Sequence, residues 1–491
     1  MICFIKALVC VLLVCALAIP ASAQPLTLPL TGGRIRPVES QTLFHTLFSD
    51  FYSEDDDTTY VQTGDIPAMW LRDSSAQTLP YVRFAPAFPI LAVRFAGVVE
   101  RNARNIESDP YANAFRADYT VWERKWEVGS LAWPVILAWS YWQQTHLRLI
   151  FTPALHGALR KVVDTYRCEQ LHAQCSRYNF TGVNQNRAYQ RNTGMIWGAF
   201  RPSDDAVTYP FNIPQQAIAA VALQDVAHLA LDGYGDRNLA NEAQSMATQV
   251  ALGVMKYGRV YNSAYGGWVY VYETDGLGHD LYLDDANIPN LTALPYIGWC
   301  SPNDSAYLNT RAYTLSTRNP YYFRGVYGEG LGSPHTPPGF VWPLGIIARA
   351  LTATSASETA ESITTLAQTD SKDGLIHESF WPDGYWLFTR AYFGWANALY
   401  AELLFRSLAG FPATPFPASG RPVLFEERLG VTPVLTTPLV QLKDTAILYR
   451  ALADLLERAN GHTIIPGIEQ LIQSTASTGG PTFHEVHDSH Q

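Results

Sequence analysis

Apolar residues recur at three- and four-residue spacing along most of this chain, the period of a helix with one buried face. The pattern predicts helices over Phe88–Asn105, Ser130–Gln144, Pro153–Tyr166, Gln215–Leu231, Leu239–Tyr257, Pro343–Ala353, Ala356–Gln368 and Thr389–Arg406. Start signals agree with it. Asn212 and Pro214 stand just before Gln215, and Ser355 has Glu358 three residues on, the spacing of a capping box. Strand signals are few, confined to Gly267–Tyr272 and Tyr385–Phe388, which read as short hairpin arms.

The helices come in pairs. Between them lie long segments rich in Gly, Pro, Trp and Asp: Thr63–Pro80, Asn192–Pro214, Glu273–Trp299 and Tyr327–Phe340. Loops of this length without regular structure usually carry function. Paired helices with elaborated loops at one end predict an all-α chain folded as an α/α toroid, with hairpins ringing a central cavity. A proline-punctuated break, Phe411–Pro417, marks a boundary near Gly410. The expected division is a catalytic region over 24–409 and a C-terminal extension over 410–491. That extension contains a helix at Thr445–Ala459 and a polar tail from Ser474, in which His484, His487 and His490 read as solvated residues rather than ligands.

The first residues change the picture of where the chain works. Lys6, the apolar run Ala7–Ile19 and the small residues Pro20-Ala21-Ser22-Ala23 read as a cleavable secretory signal over 1–23. Export to a periplasm or the medium is therefore expected. Cleavage would leave Cys168, Cys175 and Cys300, of which the first two are near enough in sequence to bridge a local loop. Three cysteines give no metal spacing, and no cofactor is expected.

The formal charge is −10, charged residues make up only 16%, and no basic run occurs. Nucleic-acid and anionic-membrane partners are thereby disfavoured. Aromatic residues reach 13%, with 13 Trp and 27 Tyr. Core filling accounts for part of that excess and platforms for sugar rings for the rest.

Several segments carry candidate chemistry. In Thr63–Gln77, Asp65, Arg72 and Asp73 can hold sugar hydroxyls by charge-assisted hydrogen bonds, while Met69 and Trp70 offer an apolar face. A helix entry with a capping aspartate and a paired arginine is the bland reading. Glu123-Arg124-Lys125-Trp126-Glu127 opens the next helix pair, so Lys125 and Glu127 are either site residues or a solvated helix start. Asp285 and Asn287 lie in an acidic stretch without calcium-loop spacing, which favours sugar contacts or loop capping. Glu329 and His335 sit in a glycine-rich loop that follows no strand and is a poor phosphate cradle. Trp342 is a second stacking candidate beside Trp70.

The two sharpest segments are Phe200-Arg201-Pro202-Ser203-Asp204-Asp205 and Asp373-Gly374-Leu375-Ile376-His377-Glu378-Ser379-Phe380. Each sets a carboxylate in a turn crowded with aromatic residues. Adjacent carboxylates repel, and burial beside Phe200 and Tyr209 would raise the pKa of one of them, as a general acid requires. Glu378, flanked by His377 and Ser379, suits a base. The bland alternative makes Asp204 or Asp205 a helix cap and Glu378 a buried ion-pair member.

Taken in order, Gly64–Ser74, Glu123-Arg124-Lys125, Phe200–Asp205, Asp284–Pro289, Gly328-Glu329-Gly330 with Ser333-Pro334-His335, and His377–Phe380 resemble glycoside hydrolase family 125, the exo-acting α-1,6-mannosidases. The resemblance runs over about residues 40–407. It implies an (α/α)6 barrel, metal-independent catalysis and inversion at the anomeric carbon. It also implies a general acid at Asp204 or Asp205 and a general base at Glu378, with mannose-containing glycans as substrate and the chain acting as a monomer. Inverting enzymes hold the two carboxyl groups about 6.5–9.5 Å apart. Gly129 departs from the pattern, standing where an acidic residue is expected, and the segment beyond 410 has no counterpart. Other toroid glycosidases, for α-glucosides or trehalose, and a non-catalytic mannoside-binding protein are the competing readings. Three glycosylation patterns occur, at Asn179, Asn290 and Asn303, and Asn290 falls inside a candidate site loop.

Overall fold

The computed structural model describes residues 38–180, 188–370 and 374–409. The expected leader at 1–23, the expected extension at 410–491, Thr181 and Asp373 lie outside the described residues.

We number the helices in chain order: α1 Val38–Ser49, α2 Leu71–Thr78, α3 Pro89–Ser108, α4 Val128–Thr145, α5 Pro153–Gln170, α6 Ile213–Tyr234, α7 Arg237–Gly253, α8 Ser305–Thr314, α9 Pro343–Leu351, α10 Ala356–Gln368 and α11 Gly394–Ala409. They form two rings. The inner ring holds α2, α4, α6, α9 and α11, and the outer ring holds α1, α3, α5, α7, α8 and α10. The sixth inner place is taken by residues 290–299, wound in successive turns around buried Leu291, Ala293, Leu294 and Ile297. The ring closes where α11 packs on both α1 and α2. This is the expected toroid.

Burial explains the composition of the inner helices. In α4 the run from Val128 to Tyr141 is wholly buried, which requires an apolar surface all round the helix. Helix α6 is buried over most of its length and starts under Asn212, whose side chain accepts from the Gln215 N–H at 3.2 Å. Outer helices keep one wet face, and several begin with a side-chain cap. Thr152, Asp236 and Asp304 accept at α5, α7 and α8.

The structure corrects three local expectations. The Ser355 hydroxyl does accept from the Glu358 N–H, at 3.3 Å, but the Glu358 carboxylate pairs with Arg311 and Arg349 instead of closing a capping box. The expected helix from Thr389 begins only at Gly394, because Gly384–Thr389 is a strand and Arg390 sits at φ +42°. Helix α2 lies inside a segment expected to be irregular. Its sequence, LRDSSAQT, has no apolar stripe, yet all eight residues are buried. Cys168 and Cys175 are joined in a disulfide across the end of α5. Asn290 is fully buried and donates to the Asp285 carbonyl at 2.7 Å, so it is closed to modification.

Buried amide side chains on the inner helices fasten the loops above them. Gln77 donates to Asp50 and to the Gln62 carbonyl. Gln215 accepts from the Gly129 N–H and donates to the Phe200 carbonyl, both at 2.8 Å. Asn397 accepts from the Ile376 N–H at 3.0 Å and donates to the carbonyls of Ile376 and Phe393 at 2.8 and 2.7 Å. Replacing Asn397 by Leu strands the buried Ile376 N–H and leaves the Ile376 carbonyl with the longer bond from the Phe393 N–H, at 3.4 Å. We expect a loss of about 2–4 kcal/mol, read as a lower denaturant midpoint at unchanged slope.

Candidate active site

All six inner elements start beneath loops at the same end of the barrel, where unpaired helix N–H groups favour anionic side chains. Those loops carry the singled-out residues. Thr63–Trp70 precedes α2, Asn113–Glu127 precedes α4, and Phe200–Asn212 precedes α6. Asp284–Asn290, Ser333–Trp342 and His377–Phe393 precede the remaining three.

The turn bearing Asp204 is tied across itself. The Arg201 N–H donates to the Asp205 carbonyl at 2.8 Å, and the Asp204 N–H donates to the Arg201 carbonyl at 3.0 Å. Closing this turn sets Asp204 at φ +65°, a left-handed conformation that aspartate tolerates better than most residues. Arg201 does not reach for a sugar. Its Nε binds buried Glu273 at 2.6 Å, and the other Glu273 oxygen accepts from the N–H groups of Thr208 and Tyr209. Arg201 is the anchor of the turn.

Asp204 Oδ1 accepts from Arg72 Nη2 at 3.2 Å and from Asn113 Nδ2 at 3.1 Å. The same two donors reach Glu127 Oε1, at 3.5 and 3.2 Å. Arg72 also binds Asp73 at 2.5 Å and lies over the Trp395 ring. Arg72, Asp73 and Glu127 are all buried, whereas the Asp204 side chain keeps 16% of its exposure and opens to the cleft. Two carboxyl groups this close do not both ionise readily. Burial, with Asp204 beside it, pushes Glu127 well above the ordinary carboxylate range. Burial works against ionisation of Asp204 too, but the hydrogen bond from Glu127 and the charges of Arg72, Lys125 and His335 carry its pKa down. The carboxyl pushed above its ordinary range is therefore Glu127 and not, as the sequence suggested, Asp204, toward which Glu127 hydrogen-bonds. Lys125 is drawn toward the same cluster and pairs with Glu123 at 2.8 Å.

Glu378 comes from the loop that precedes α11. It is 7% exposed, and its Oε1 lies 3.3 Å from Arg390 Nη1. Arg390 also binds Asp65 at 2.5 Å and the Thr63 carbonyl at 3.2 Å. His377 is stacked on Phe388 with centroids 3.8 Å apart and meets the Ala391 carbonyl through Nδ1, which fixes the strand leading into Glu378. His335 stands between the two groups of carboxylates. Its contact with Asp205, at 3.6 Å, raises its pKa, burial opposes this, and the charges of Asp204 and Glu378 add to it.

The other singled-out residues divide. Asp285 and Asn287 form a buried latch, in which Asn287 donates to Asp285 at 3.0 Å and to Ser333 at 3.3 Å, and Asp285 also takes a hydrogen bond from Ser203. Trp70 is 7% exposed, and its indole N–H meets no partner among the described residues. Met69 is fully buried and accepts from the Val61 N–H through sulfur, so it belongs to the core. Trp342 is 1% exposed and donates to the Thr336 hydroxyl, which denies a sugar its face. Glu329 points into a separate surface pocket of about 310 Å³ with Arg324, Arg349 and Glu358. At Gly129 a Cβ would meet the Gln215 amide oxygen at 3.3 Å, and the loop's carboxylate comes from Glu127 two residues earlier. Sequence reasoning missed Asn113 and Arg390. Each lies beside a short strand whose sequence gives no sign that its side chain crosses to another loop. Among the described residues, no three His, Cys, Asp or Glu side chains converge as a metal site would require.

Comparison with known proteins agrees with this arrangement. A family model described as metal-independent alpha-mannosidase (GH125) matches residues 38–405. The Meiotically up-regulated gene 157 protein of Schizosaccharomyces pombe is 33% identical over 394 residues, covering 70% of this chain and 76% of that protein. Among solved structures, a Streptococcus pneumoniae protein is 34% identical with a TM-score of 0.73, over 76% of this chain and 93% of its own. It is described as a metal-independent alpha mannosidase in a non-productive complex with alpha-1,6-mannobiose. The glucoamylase of Saccharomycopsis fibuligera, 14% identical with a TM-score of 0.50 over 76% of this chain and 94% of its own, shares the fold alone.

The proton held on Glu127 has a measurable consequence. A carboxyl whose folded pKa is raised contributes stability below its unfolded value, and that contribution fades as pH rises through the raised value. Asp204, whose pKa is lowered, works oppositely and loses its contribution as pH falls through its folded value. The thermal midpoint of the wild type should therefore decline as pH climbs above the ordinary carboxylate range. Glu127→Gln, which keeps a donor toward Asp204 but cannot ionise, should decline less in a melting series across pH.

Proposed function

Because the chain belongs to glycoside hydrolase family 125, the metal-independent α-mannosidases, we propose that it removes α-1,6-linked mannose from the non-reducing ends of glycans, with inversion. The observation that carries this reading is the presence of two differently equipped carboxyl centres in the loops at one end of the barrel, with His335 in the field of both. In one, Asp204 shares a retained proton with Glu127, and in the other Glu378 stands beside Arg390. In an inverting hydrolysis one carboxyl protonates the departing oxygen while the other takes a proton from the attacking water. Asp204, the more exposed member of its pair, delivers the proton to the glycosidic oxygen. Glu378 receives the proton of the water, which attacks the anomeric carbon from the opposite face, and later releases it to solvent. The pair is reprotonated from solvent.

Arg72, Asp73 and Trp70 are the groups assigned to the terminal sugar. The Trp70 indole N–H is a polar atom without a hydrogen-bond partner among the described residues, as a sugar hydroxyl would need it. His335 faces both carboxyl centres and is placed to meet the sugar across the scissile bond. The α-1,6 preference rests on the mannobiose held by the Streptococcus pneumoniae relative. Export is part of the same proposal, supported by the leader-like first residues and by the Cys168–Cys175 disulfide, which suits an oxidising compartment.

The test is hydrolysis of α-1,6-mannobiose, in EDTA, by wild type and by Asp204→Asn, Asp205→Asn and Glu378→Gln. We expect Asp204→Asn and Glu378→Gln to lose about a thousandfold in kcat, near the upper range for acid–base roles, and Asp205→Asn to lose less. Proton NMR of the first product should show β-mannose before mutarotation. Full activity in Glu378→Gln, or α-mannose as first product, would sink the mechanism. An inert wild type would sink the substrate.

A further inference from the structure

The hairpin between Glu378 and Arg390 does more than connect them. Its strands, Ser379–Trp381 and Gly384–Thr389, pair around a tight turn at Pro382-Asp383. A second hairpin, Tyr322–Gly325 with Gly328–Leu331, turns at Val326-Tyr327. The two turns are locked tip to tip. The Tyr327 N–H donates to the Pro382 carbonyl at 2.8 Å, and the Val326 N–H donates to Asp383 Oδ1 at 2.9 Å. A Cβ on Gly325 would come within 2.5 Å of that same aspartate oxygen, so the approach depends on glycine.

This fastening displays aromatic rings instead of burying them. Trp386 is 65% exposed, Leu387 54%, Tyr327 37% and Trp381 36%. The rings hold one another in place. Tyr327 meets Tyr385 at 5.0 Å and Trp386 at 5.9 Å, and Tyr385 meets Trp386 at 5.5 Å. Single exposed aromatic residues need no explanation, but a contiguous, pre-ordered patch marks a binding surface. Its rings already have fixed rotamers, so binding costs little side-chain entropy.

The patch is continuous with the cleft through two loops. Trp381 ends the strand that begins one residue after Glu378. Its indole also lies against Gly339, where a Cβ would meet it at 2.5 Å, and against Phe340 at 5.7 Å, in the loop that carries His335. The loop that brings His335 to Asp205 therefore rests on Trp381 a few residues further along.

We propose that Tyr327, Trp381 and Trp386 form a distal subsite for a neutral oligosaccharide, receiving the part of a glycan that lies beyond the bond to be cut. The inference rests on the hydrolase reading above. Neutral pyranose rings present C–H faces that stack on aromatic rings, while their hydroxyls stay in water, which suits side chains exposed by a third to two thirds. The same surface would then distinguish long substrates from short ones without touching the reacting atoms.

The experiment compares Trp386→Ala and Tyr327→Ala with wild type on mannobiose and on a longer α-oligomannoside. Both side chains are exposed, so circular dichroism and melting should be unchanged. We expect KM for the longer substrate to rise about tenfold, the loss of a stacking contact, with kcat/KM for mannobiose within about twofold. Equal losses on both substrates, or on neither, would overturn the subsite. So would a sedimentation result in which wild type is a dimer that these variants dissociate without any change in KM, since the patch would then join copies of the chain. If wild type cleaves neither substrate, the hydrolase reading fails separately. Calorimetric titration of the longer oligomannoside then decides the subsite, which stands if wild type binds and Trp386→Ala does not, and falls if both bind alike or neither binds.

Discussion

Arg72 is the charge around which the cleft is organised. A buried guanidinium is tolerated only when paired and hydrogen-bonded, and here three carboxyl groups surround it: Asp73, Glu127 and Asp204. The count of charges matters more than any single distance. Arg72 is the cation in direct contact with all three acids, while Lys125 pairs with Glu123 and acts on the cluster from farther off. That imbalance cannot be carried fully ionised in a water-poor site, and a proton stays bound. A proton held above the ordinary carboxylate range thus follows from how many carboxyl groups share one arginine.

The geometry that imposes this arrangement is backbone work. Asp204 and Arg390, in separate loops of the cleft, both occupy left-handed conformations unusual for residues with side chains. Neither would hold without support. The Arg201–Glu273 pair and the Gln215 side chain brace the first turn, and Asn397 with the stacked His377–Phe388 rings braces the second segment. The inner helices are accordingly both barrel staves and posts for loops. Buried amides on the staves explain how long irregular segments remain ordered enough to aim carboxylates.

The outer face of the same loops has different physics. At the hairpin tips, glycines let two turns approach closely, and the rings displaced outward pack on one another instead of on the core. Ordered exposed rings and buried paired charges are separate solutions within a single loop layer, one suited to stacking and the other to proton transfer.

Much of this was legible in the sequence. Eight helices and both hairpin arms follow from spacing, because an apolar stripe of period 3.6 has few alternative meanings. The segments around Asp204 and Glu378 stand out because carboxylates among aromatic residues in short turns are rare, and the order of the motifs places the chain in its family. Helix α2 was not legible. Its buried face is polar, satisfied by Asp50, Asn102 and the loops, so the hydrophobic signal is missing where function put arginine and aspartate in the interior. Asn113 and Arg390 were not legible either, since each acts on residues far away in the chain, Asn113 on Asp204 and Arg390 on Asp65. Local pattern determined which segments are helical and which carry acids. Only closure of the ring decided which acid meets which base, which of them keeps a proton and which aromatic residues stay outside, because those outcomes depend on desolvation and on distances between loops that no local spacing encodes.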